Sequence, residues 1–452
     1  MKILFYVEPH SLRDQFTSHM LPFGYFCWIA KEINTSANAA FDDVEARIFT
    51  NHFVADAKFV DNYDHWPMVI QPTLAEQNMI EDTARIWMGD GIDDWVSLMT
   101  DPGSAPVRNY VDILKRIKRE VYDYDVIVLW GENAAVREVA REEGLQTAFF
   151  ELASMRAPFP KSVLIDPVGV NGAASTAIMN INAMRATVSG LPVDLIPTFI
   201  NEEFAKGRQN TRIPNAAFAP LSSDTRAFFE KEGLKALVPL QLADDANQLI
   251  YSDYNSVHSF AEAAIEPLLK AGFRVLLKPH PSAKQRGGYV MRQQKRCLEH
   301  YGDNENILVL SEEAGNEDYL SMLKAMDLVV TNNSSAGFEA MMMGTRVVVL
   351  GRASYAPKGA FPTLDEAIRS FSNTALQKRF DENYSTAITY MLACAFPLER
   401  SLGRELVERL KIWRKYEDIN AFEWLPEMFN TVGWSTWHQK DFLKQITKIV
   451  GP

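Results

Sequence analysis

Two adjacent carboxylates, Asp244 and Asp245, lie in the segment Gln241-Leu-Ala-Asp-Asp-Ala-Asn of this 452-residue chain. A carboxylate in such a turn can act as a general base or as a covalent nucleophile. The structural alternative is that one of them caps the helix that follows, because Asp and Asn favour that position. The residues alone leave both interpretations open.

A histidine between two prolines forms the second candidate, in the segment Lys278-Pro279-His280-Pro281. The prolines restrict the backbone on both sides of His280 and hold its side chain in one orientation. A cationic or hydrogen-bond-donating imidazole beside Lys278 suits a phosphate. A structural histidine in a rigid turn is the alternative, and the Lys-Pro-His-Pro context favours contact with a ligand.

The third candidate is the run from Asn332 to Glu339, which reads Asn-Asn-Ser-Ser-Ala-Gly-Phe-Glu. Backbone N–H groups and the helix dipole make a helix start an anion site, to which Ser334 and Ser335 add hydroxyl donors. Gly337 permits close approach, and Glu339, one turn after Ser335, could accept hydrogen bonds from ribose hydroxyls. Ordinary capping with a glutamate in the first turn is the alternative.

All three turns follow short apolar runs rich in Val, Leu, Ile and Phe, which are typical of strands buried on both faces of a parallel sheet. Helical patterns alternate with these runs, so we predict an α/β fold in which ligands bind beyond the carboxyl ends of the strands. The predicted strands are Ile3–Val7, Ala46–Phe49, Val126–Trp130, Thr147–Glu151, Ala236–Leu240, Arg274–Lys278, Ile307–Leu310, Leu328–Thr331 and Arg346–Leu350; the predicted helices include Ala105–Glu120, Val257–Ala271 and Ser335–Met343.

The proline-containing stretch Asn210–Asp224 has the composition of a linker and separates two α/β halves of similar size. We therefore predict a GT-B-like arrangement, in which two Rossmann-like domains, residues 1–215 and residues 216–395, face each other across a cleft. Residues 396–452 are helical and rich in tryptophan, and these C-terminal helices are expected to cross back and pack on the N-terminal domain. An amphipathic surface that touches a membrane is the alternative for this tail.

Glu151 ends a predicted strand of the first half and would face the same cleft from the opposite domain. It could serve as acid or base towards a hydroxyl, and Arg156 could bind a carboxylate through two hydrogen bonds. A salt bridge near the domain edge is the alternative. Secondary candidates on this side are Glu8, His10 and Arg13.

The composition excludes several classes of protein. With 46 Lys and Arg against 58 Asp and Glu, the net charge is −12, which argues against a general nucleic-acid binder. Three separated cysteines predict reduced thiols and a cytoplasmic location. The first apolar run is shorter than a secretory signal requires, and no stretch reaches the roughly 18 apolar residues of a membrane span. The eight histidines lack metal-ligand spacing, so neither a metal nor a cofactor is expected.

Taken together, the three turns resemble the signature of the bacterial capsule polysaccharide biosynthesis proteins. That family includes the retaining β-Kdo glycosyltransferases of capsule and O-antigen assembly. The resemblance covers mainly residues 126–351. The His-Pro and Ser-Ser pairs are also similar to those of bacterial sialyltransferases of the GT-B type, which bind CMP.

The resemblance implies that CMP-β-Kdo is the donor, bound by residues 216–395, with the acceptor on the side of residues 1–215. His280 and the helix start at Ser334 and Ser335 would hold the CMP phosphate, and Glu339 would hold the ribose. Lys278 and Arg156 would bind the Kdo carboxylate or the phosphate. The remaining donor-binding residues implied by the resemblance are Gln241, Pro281, Asn333 and Gly337.

For catalysis, the resemblance implies a double displacement in which Asp245 is the nucleophile, with Asp244 as the second candidate. Glu151 matches a family glutamate and becomes the acid/base candidate. Here it is followed by Leu-Ala-Ser instead of the Asp-Gly-Phe usual in the capsule enzymes, and the chain lacks their tandem catalytic halves. These departures favour the O-antigen branch and leave the acceptor open.

The partners implied are a CMP-sugar donor and a glycan or lipid-linked glycan acceptor, in the cytoplasm. Peripheral contact with the inner face of the inner membrane stays open, as does membership of a larger polysaccharide-synthesising enzyme. Three alternative functions also remain open: an inverting CMP-sialic-acid-type transferase in which Asp245 acts only as a base, a sugar-nucleotide epimerase of the same fold, and a non-catalytic assembly subunit.

Overall fold

The computed structural model describes residues 1–8, 20–55, 68–86, 92–156, 159, 161–190, 221–286, 288–311, 319–397 and 402–431. These residues form two compact units. The first contains residues 1–151 and 163–170 and the described part of 399–432; the second contains residues 152–162 and the described part of 171–398. The predicted boundary at 215/216 and most of the predicted linker lie outside the described residues.

The first unit is built on a six-stranded sheet with the order β3-β2-β1-β4-β5-β6. Strands β1 to β5 pair in parallel, and Ile3 lies opposite both Ala46 and Val126. This is the strand order of the Rossmann fold. The strands are β1 (Lys2–Tyr6), β2 (Glu45–Phe49), β3 (Val69–Ile70), β4 (Val126–Trp130), β5 (Gln146–Leu152) and β6 (Val163–Asp166).

Helices surround this first sheet, and the helix Ala105–Arg116 continues into a π-helical turn, Ile117–Val121. The helices preceding the C-terminal part are α1 (Met20–Thr35), α2 (His52–Ala55), α3 (Leu74–Ile86), α4 (Ile92–Thr100), α5 (Ala105–Arg116) and α6 (Ala134–Glu143), with a short 3-10 turn at Ala39–Phe41.

Two C-terminal helices, α18 (Leu402–Trp413) and α19 (Leu425–Thr431), belong to the first unit. Gln146 on β5 donates to the carbonyl of Leu410 over 3.0 Å, which fixes α18 beside the sheet. Trp413 and Trp424 are both buried, and their ring centroids lie 6.0 Å apart. These two tryptophans therefore pack inside the unit, whereas Trp434 and Trp437 lie outside the described residues.

The second unit is built on a five-stranded parallel sheet with the order β11-β10-β7-β8-β9, again the Rossmann order. Its core lies between the sheet and the helices that flank it, where Val238, Phe260 and Val275 are fully buried. The strands are β7 (Lys235–Pro239), β8 (Arg274–Lys278), β9 (Ile307–Val309), β10 (Leu328–Thr331) and β11 (Arg346–Val349).

Residues 171–190 join this second unit because the helix Ile181–Ser189 packs on the helix Thr374–Tyr390, where Arg185 donates to Asn383 over 2.8 Å. The helices of the unit are α7 (Ser175–Ile178), α8 (Ile181–Ser189), α9 (Ser223–Glu230), α10 (Ala246–Leu249), α11 (Val257–Lys270), α12 (Ala283–Arg286), α13 (Gly288–Tyr301), α14 (Tyr319–Ala325), α15 (Ser335–Met342), α16 (Leu364–Ser370) and α17 (Thr374–Tyr390), the last followed by a π-helical turn at Met391–Ala395.

The predicted α/β fold class, with two Rossmann-like domains, is confirmed. All nine predicted strands are present, within one or two residues at each end. The sequence patterns missed β3, which has only two residues, and β6, a four-residue strand that Pro167 follows. A run of two residues carries no periodicity that distinguishes a strand from a loop, whereas β6 is as long as β10 and could have been found from its apolar run Val163–Ile165. Among the described residues no helix is both long enough and apolar enough to span a bilayer.

Candidate functional site

The three polar turns of the second unit meet where its strand order reverses, between β7 and β10. The carboxyl ends of parallel strands at such a point form the usual crevice for a ligand. The Leu240 N–H donates to the carbonyl of Lys278 over 2.9 Å, which joins the first two turns. The Gln241 amide donates to Asn333 Oδ1 over 3.2 Å, which joins the first and the third.

Gln241 and Asn333 thus contact each other, although the resemblance implied that both bind the donor. The Asn333 amide also donates to the carbonyl of Asn247 over 2.7 Å. Both side chains are buried, with 7% and 5% of their surface exposed. These contacts give the two residues a role in holding the turns together, and direct binding of the donor by either stays a prediction.

Asp245 caps α10, because its Oδ1 accepts the Asn247 N–H over 2.8 Å. The sequence left open whether an aspartate caps this helix, and the structure confirms that Asp245 does. The cap also orients the carboxylate, which is half-buried and interacts electrostatically with His280. Asp244, its neighbour, is buried with 5% of its surface exposed. A fixed carboxylate that acts electrostatically on the imidazole keeps the chemical interpretation available as well.

The His280 turn is held by hydrogen bonds to its backbone and to its ring. The His280 N–H donates to Gln294 Oε1 over 2.7 Å, and the ring Nδ1 accepts the Ser282 N–H over 3.1 Å. Because Nδ1 acts as an acceptor, the proton of the neutral ring lies on Nε2. His280 therefore presents an Nε2–H donor.

The pKa of His280 is lowered to about 4, chiefly by burial. Asp245 opposes the shift, and the cations Lys278, Arg286 and Arg156 add to it. At neutral pH the imidazole is uncharged, so of the two forms expected from the sequence the structure favours the hydrogen-bond donor over the cation. The three cations around it make the surroundings positive, which suits an anion.

Lys278 is buried at the end of β8, with 7% of its surface exposed. Its ammonium lies 5.7 Å from the centroid of the Tyr319 ring, a cation–π distance. Arg156 is exposed, and its guanidinium donates to the carbonyls of Ala153 and Met155 over 2.5 and 2.9 Å. Arg156 thus bonds to its own loop, and the predicted bidentate binding of a carboxylate stays a prediction.

The third turn opens α15 with Ser334 as its cap, because the Ser334 hydroxyl accepts the Ala336 N–H over 3.3 Å. Tyr355 approaches Gly337 closely, and its hydroxyl occupies the space a Cβ would need. The Tyr355 hydroxyl donates to the carbonyl of Ser334 over 2.7 Å. The space at Gly337 that was expected to take a ligand is thus filled by Tyr355. The sequence did not indicate this contact, because Tyr355 belongs to no motif.

Glu339 is buried at 2% exposure, and both of its carboxylate oxygens accept hydrogen bonds. Oε1 accepts the Arg156 N–H over 2.7 Å, and Oε2 accepts the Tyr319 hydroxyl over 2.8 Å. Glu339 therefore anchors the segment that carries Arg156. Burial raises the pKa of Glu339 to about 7, against the opposing effect of Tyr319 and Arg156. Ribose binding by Glu339 stays a prediction.

We expect the Glu339→Gln variant to remove a pH dependence of stability. A pKa raised from 4.5 to about 7 means that the folded state binds a proton which the unfolded state has released, so stability falls as pH rises through this window. Between pH 5 and pH 8 the wild type should lose about 2 to 3 kcal/mol more unfolding free energy than the variant. Urea unfolding at both pH values measures this, and parallel losses in the two proteins would contradict it.

The first unit carries the remaining candidates, and those that the structure describes lie at the carboxyl ends of its strands. Glu151 is half-buried at the end of β5. Glu8 follows β1, where it accepts hydrogen bonds from the Tyr6 hydroxyl over 3.0 Å and from the Asn133 amide over 2.7 Å. His10 and Arg13 lie outside the described residues. The acid/base role of Glu151 stays a prediction.

In the part of the chain that the structure describes, no three His, Cys, Asp or Glu side chains are grouped as metal ligands. The cations and donors around His280 are a different kind of group, suited to a phosphate. Pro281 is exposed beside His280 and has no N–H to donate, so its contribution is to restrict the turn.

Residues 209–397 match the family model of the capsule polysaccharide biosynthesis proteins. This segment is less than half of the chain. It contains all three turns and the whole five-stranded sheet of the second unit. The family predicted from the motifs is therefore confirmed for this part of the chain.

Solved structures similar to the chain include two domains of KpsC from Thermosulfurimonas dismutans. The beta Kdo 2,4 transferase is 19% identical over 58% of this chain and 79% of that one, with a TM-score of 0.35. The beta Kdo 2,7 transferase is 14% identical over 66% and 90%, also with a TM-score of 0.35. UDP-GlcNAc 2-epimerase from Neisseria meningitidis is 11% identical over 91% and 100%, with a TM-score of 0.36. These likenesses carry no conclusion about activity. No curated protein matches the chain.

Proposed function

We propose that the protein is a retaining glycosyltransferase that moves Kdo from CMP-β-Kdo to a glycan acceptor in bacterial O-antigen or capsule assembly. The observation that carries the proposal is that the turns of Asp245 and His280 follow the adjacent strands β7 and β8, joined by the Leu240 N–H bond to Lys278, at the point where the strand order reverses. A carboxylate and a donor to phosphate are the two groups that transfer from a nucleotide sugar requires.

Donor binding rests on two anion-binding features of the second unit. His280 would donate its Nε2–H to the CMP phosphate, and the start of α15 at Ser334 and Ser335 would add N–H and hydroxyl donors. Lys278 supplies positive charge nearby. A single phosphate can be stabilised as a leaving group by such donors, so we propose transfer that depends on no metal.

The reaction would proceed as two displacements. In the first, the Asp245 carboxylate attacks the anomeric carbon of Kdo, and the bond to the phosphate oxygen breaks, so that CMP leaves with the bonding electrons. In the second, the acceptor hydroxyl attacks the same carbon and loses its proton to Glu151, and Asp245 is released. Two inversions give net retention.

The acceptor is proposed to be a glycan or a lipid-linked glycan, used on the cytoplasmic side of the inner membrane. The family resemblance makes Glu151, in the first unit, the candidate that takes the proton of the acceptor hydroxyl. The O-antigen branch is favoured by the Leu-Ala-Ser that follows Glu151. Peripheral contact with the membrane and participation in a larger polysaccharide-synthesising enzyme belong to the same proposal.

A donor screen tests this function. The protein is incubated with CMP-Kdo generated in situ, with CMP-sialic acid and with UDP-GlcNAc, and release of CMP or UDP is measured with and without bacterial glycan acceptors. Of the three donors, we expect only CMP-Kdo to release its nucleotide. NMR of the product should show a β-linked Kdo. Release from CMP-sialic acid with inverted configuration would indicate the sialyltransferase alternative, and epimerisation of UDP-GlcNAc without acceptor would indicate an epimerase.

A further inference from the structure

The segment Pro279-His280-Pro281 has a single backbone donor. Proline has no N–H, so the His280 N–H is the one that must find an acceptor. It donates to Gln294 Oε1 over 2.7 Å. The acceptor is thus a side chain from the middle of α13, fourteen residues along the chain, and not a backbone carbonyl of the neighbouring strand.

Gln294 is itself fixed, with 2% of its surface exposed in the interior of the second unit. The other bonds at His280 are local: the ring accepts the Ser282 N–H, and the His280 carbonyl accepts the Ala283 N–H over 3.2 Å. Those bonds shape the turn, but neither connects it to another element. Gln294 makes that connection, between the turn after β8 and helix α13.

We propose that Gln294 is a positioning residue for His280, holding the histidine turn so that the imidazole Nε2–H is presented to the nucleotide phosphate. This inference rests on the proposed function for the identity of the ligand, and on the structure alone for the contact. Gln294 acts on the bound ligand through the backbone of His280.

Three variants test it: Gln294→Leu removes the acceptor, Gln294→Glu keeps an acceptor oxygen in place, and Gln293→Leu is the control on the same helix. CMP is the probe, titrated by calorimetry. We expect the Leu variant at position 294 to weaken CMP binding about five- to tenfold, because a buried N–H is left without an acceptor and the turn relaxes. The Glu variant should stay within about twofold of the wild type, as should the control.

A second readout is the pKa of His280, followed by NMR of the histidine rings. The groups that face this ring are Asp245, which raises its pKa, and Lys278, Arg286 and Arg156, which lower it. The carboxyl of the Glu variant is buried and therefore protonated over the pH range in which His280 titrates, so the His280 pKa should stay near about 4. In the Leu variant it should rise towards the ordinary value, because the loosened ring regains water.

A Gln294→Leu protein with the CMP affinity and His280 pKa of the wild type would overturn the inference. If that variant does not fold, Gln294→Met, which also removes the acceptor, decides by the same two measurements, and wild-type values in it would equally overturn the contact. If the wild type fails to bind CMP, the proposed function is wrong, whereas the His280 pKa in the variants still tests the positioning role.

Discussion

In the Asp245→Asn variant the rate of Kdo transfer falls by at least about a thousandfold, while the fold and the affinity for CMP are kept. The amide cannot form the covalent bond to the anomeric carbon, so the first displacement has no nucleophile. The fold is kept because asparagine caps a helix as well as aspartate does. Its Oδ1 continues to accept the Asn247 N–H, which Asp245 does over 2.8 Å.

The matched control is Asp244→Asn, the same change one residue earlier. Asp244 is buried, so this variant is expected to lose some stability and to keep transfer far above the Asp245 variant. Initial rates of CMP release and calorimetric titration with CMP are measured for both. Wild-type turnover in Asp245→Asn would rule out Asp245 as the nucleophile. Loss of transfer in Asp244→Asn but not in Asp245→Asn would identify Asp244 as the nucleophile.

The His280→Ala variant binds CMP roughly ten- to a hundredfold more weakly, the value of one hydrogen bond from a neutral donor to a charged phosphate. Alanine keeps the backbone N–H that bonds to Gln294 over 2.7 Å, so the link to α13 is expected to persist, while the Ser282 N–H loses its acceptor on the ring. The variant thus separates the ring's contribution from that of the link to α13.

His258→Ala is the control for this change, because His258 lies on α11 of the same unit and its ring contacts His300 and Tyr301. Its CMP dissociation constant is expected to match the wild type. Isothermal titration with CMP at pH 7.5 measures all three proteins. Equal CMP affinity in wild type and His280→Ala would contradict a phosphate-binding role for His280.

Much of the second unit could be predicted from the sequence because its strands are buried on both faces. Apolar runs such as Arg274–Lys278 and Leu328–Thr331 coincide with β8 and β10. Once those strands are in place, their order brings the polar turns together, since parallel strands end at one edge. The convergence of the three turns follows from this rule without any detail of packing.

The contacts inside the site could not be predicted, because they join residues that are distant in sequence. Nothing in the motifs connects Gln294 with His280 or Tyr355 with Gly337, and both pairs depend on how helices pack against the turns. Glu339 shows the same limit, since its burial and its bond to the Arg156 N–H are tertiary properties. A pKa of about 7 for Glu339 is likewise set by burial.

Asp245 shows why the choice between capping and chemistry could not be made from spacing. Both interpretations place an aspartate at the end of a strand and before a helix, and the residue in fact caps α10. Its electrostatic effect on His280 is what separates it from an ordinary cap, and that effect depends on the turn after β8, a strand that pairs with β7.

The central claim is that Asp245 carries the sugar during transfer, and trapping the covalent intermediate tests it most directly. The wild-type protein is incubated with CMP-Kdo without acceptor, quenched in acid, digested and analysed by mass spectrometry, with Asp245→Asn treated in parallel. We expect the peptide that contains Asp245 to gain the mass of one Kdo residue in the wild type and not in the variant. Active transfer with no adduct on that peptide, and a product of inverted configuration, would contradict the account.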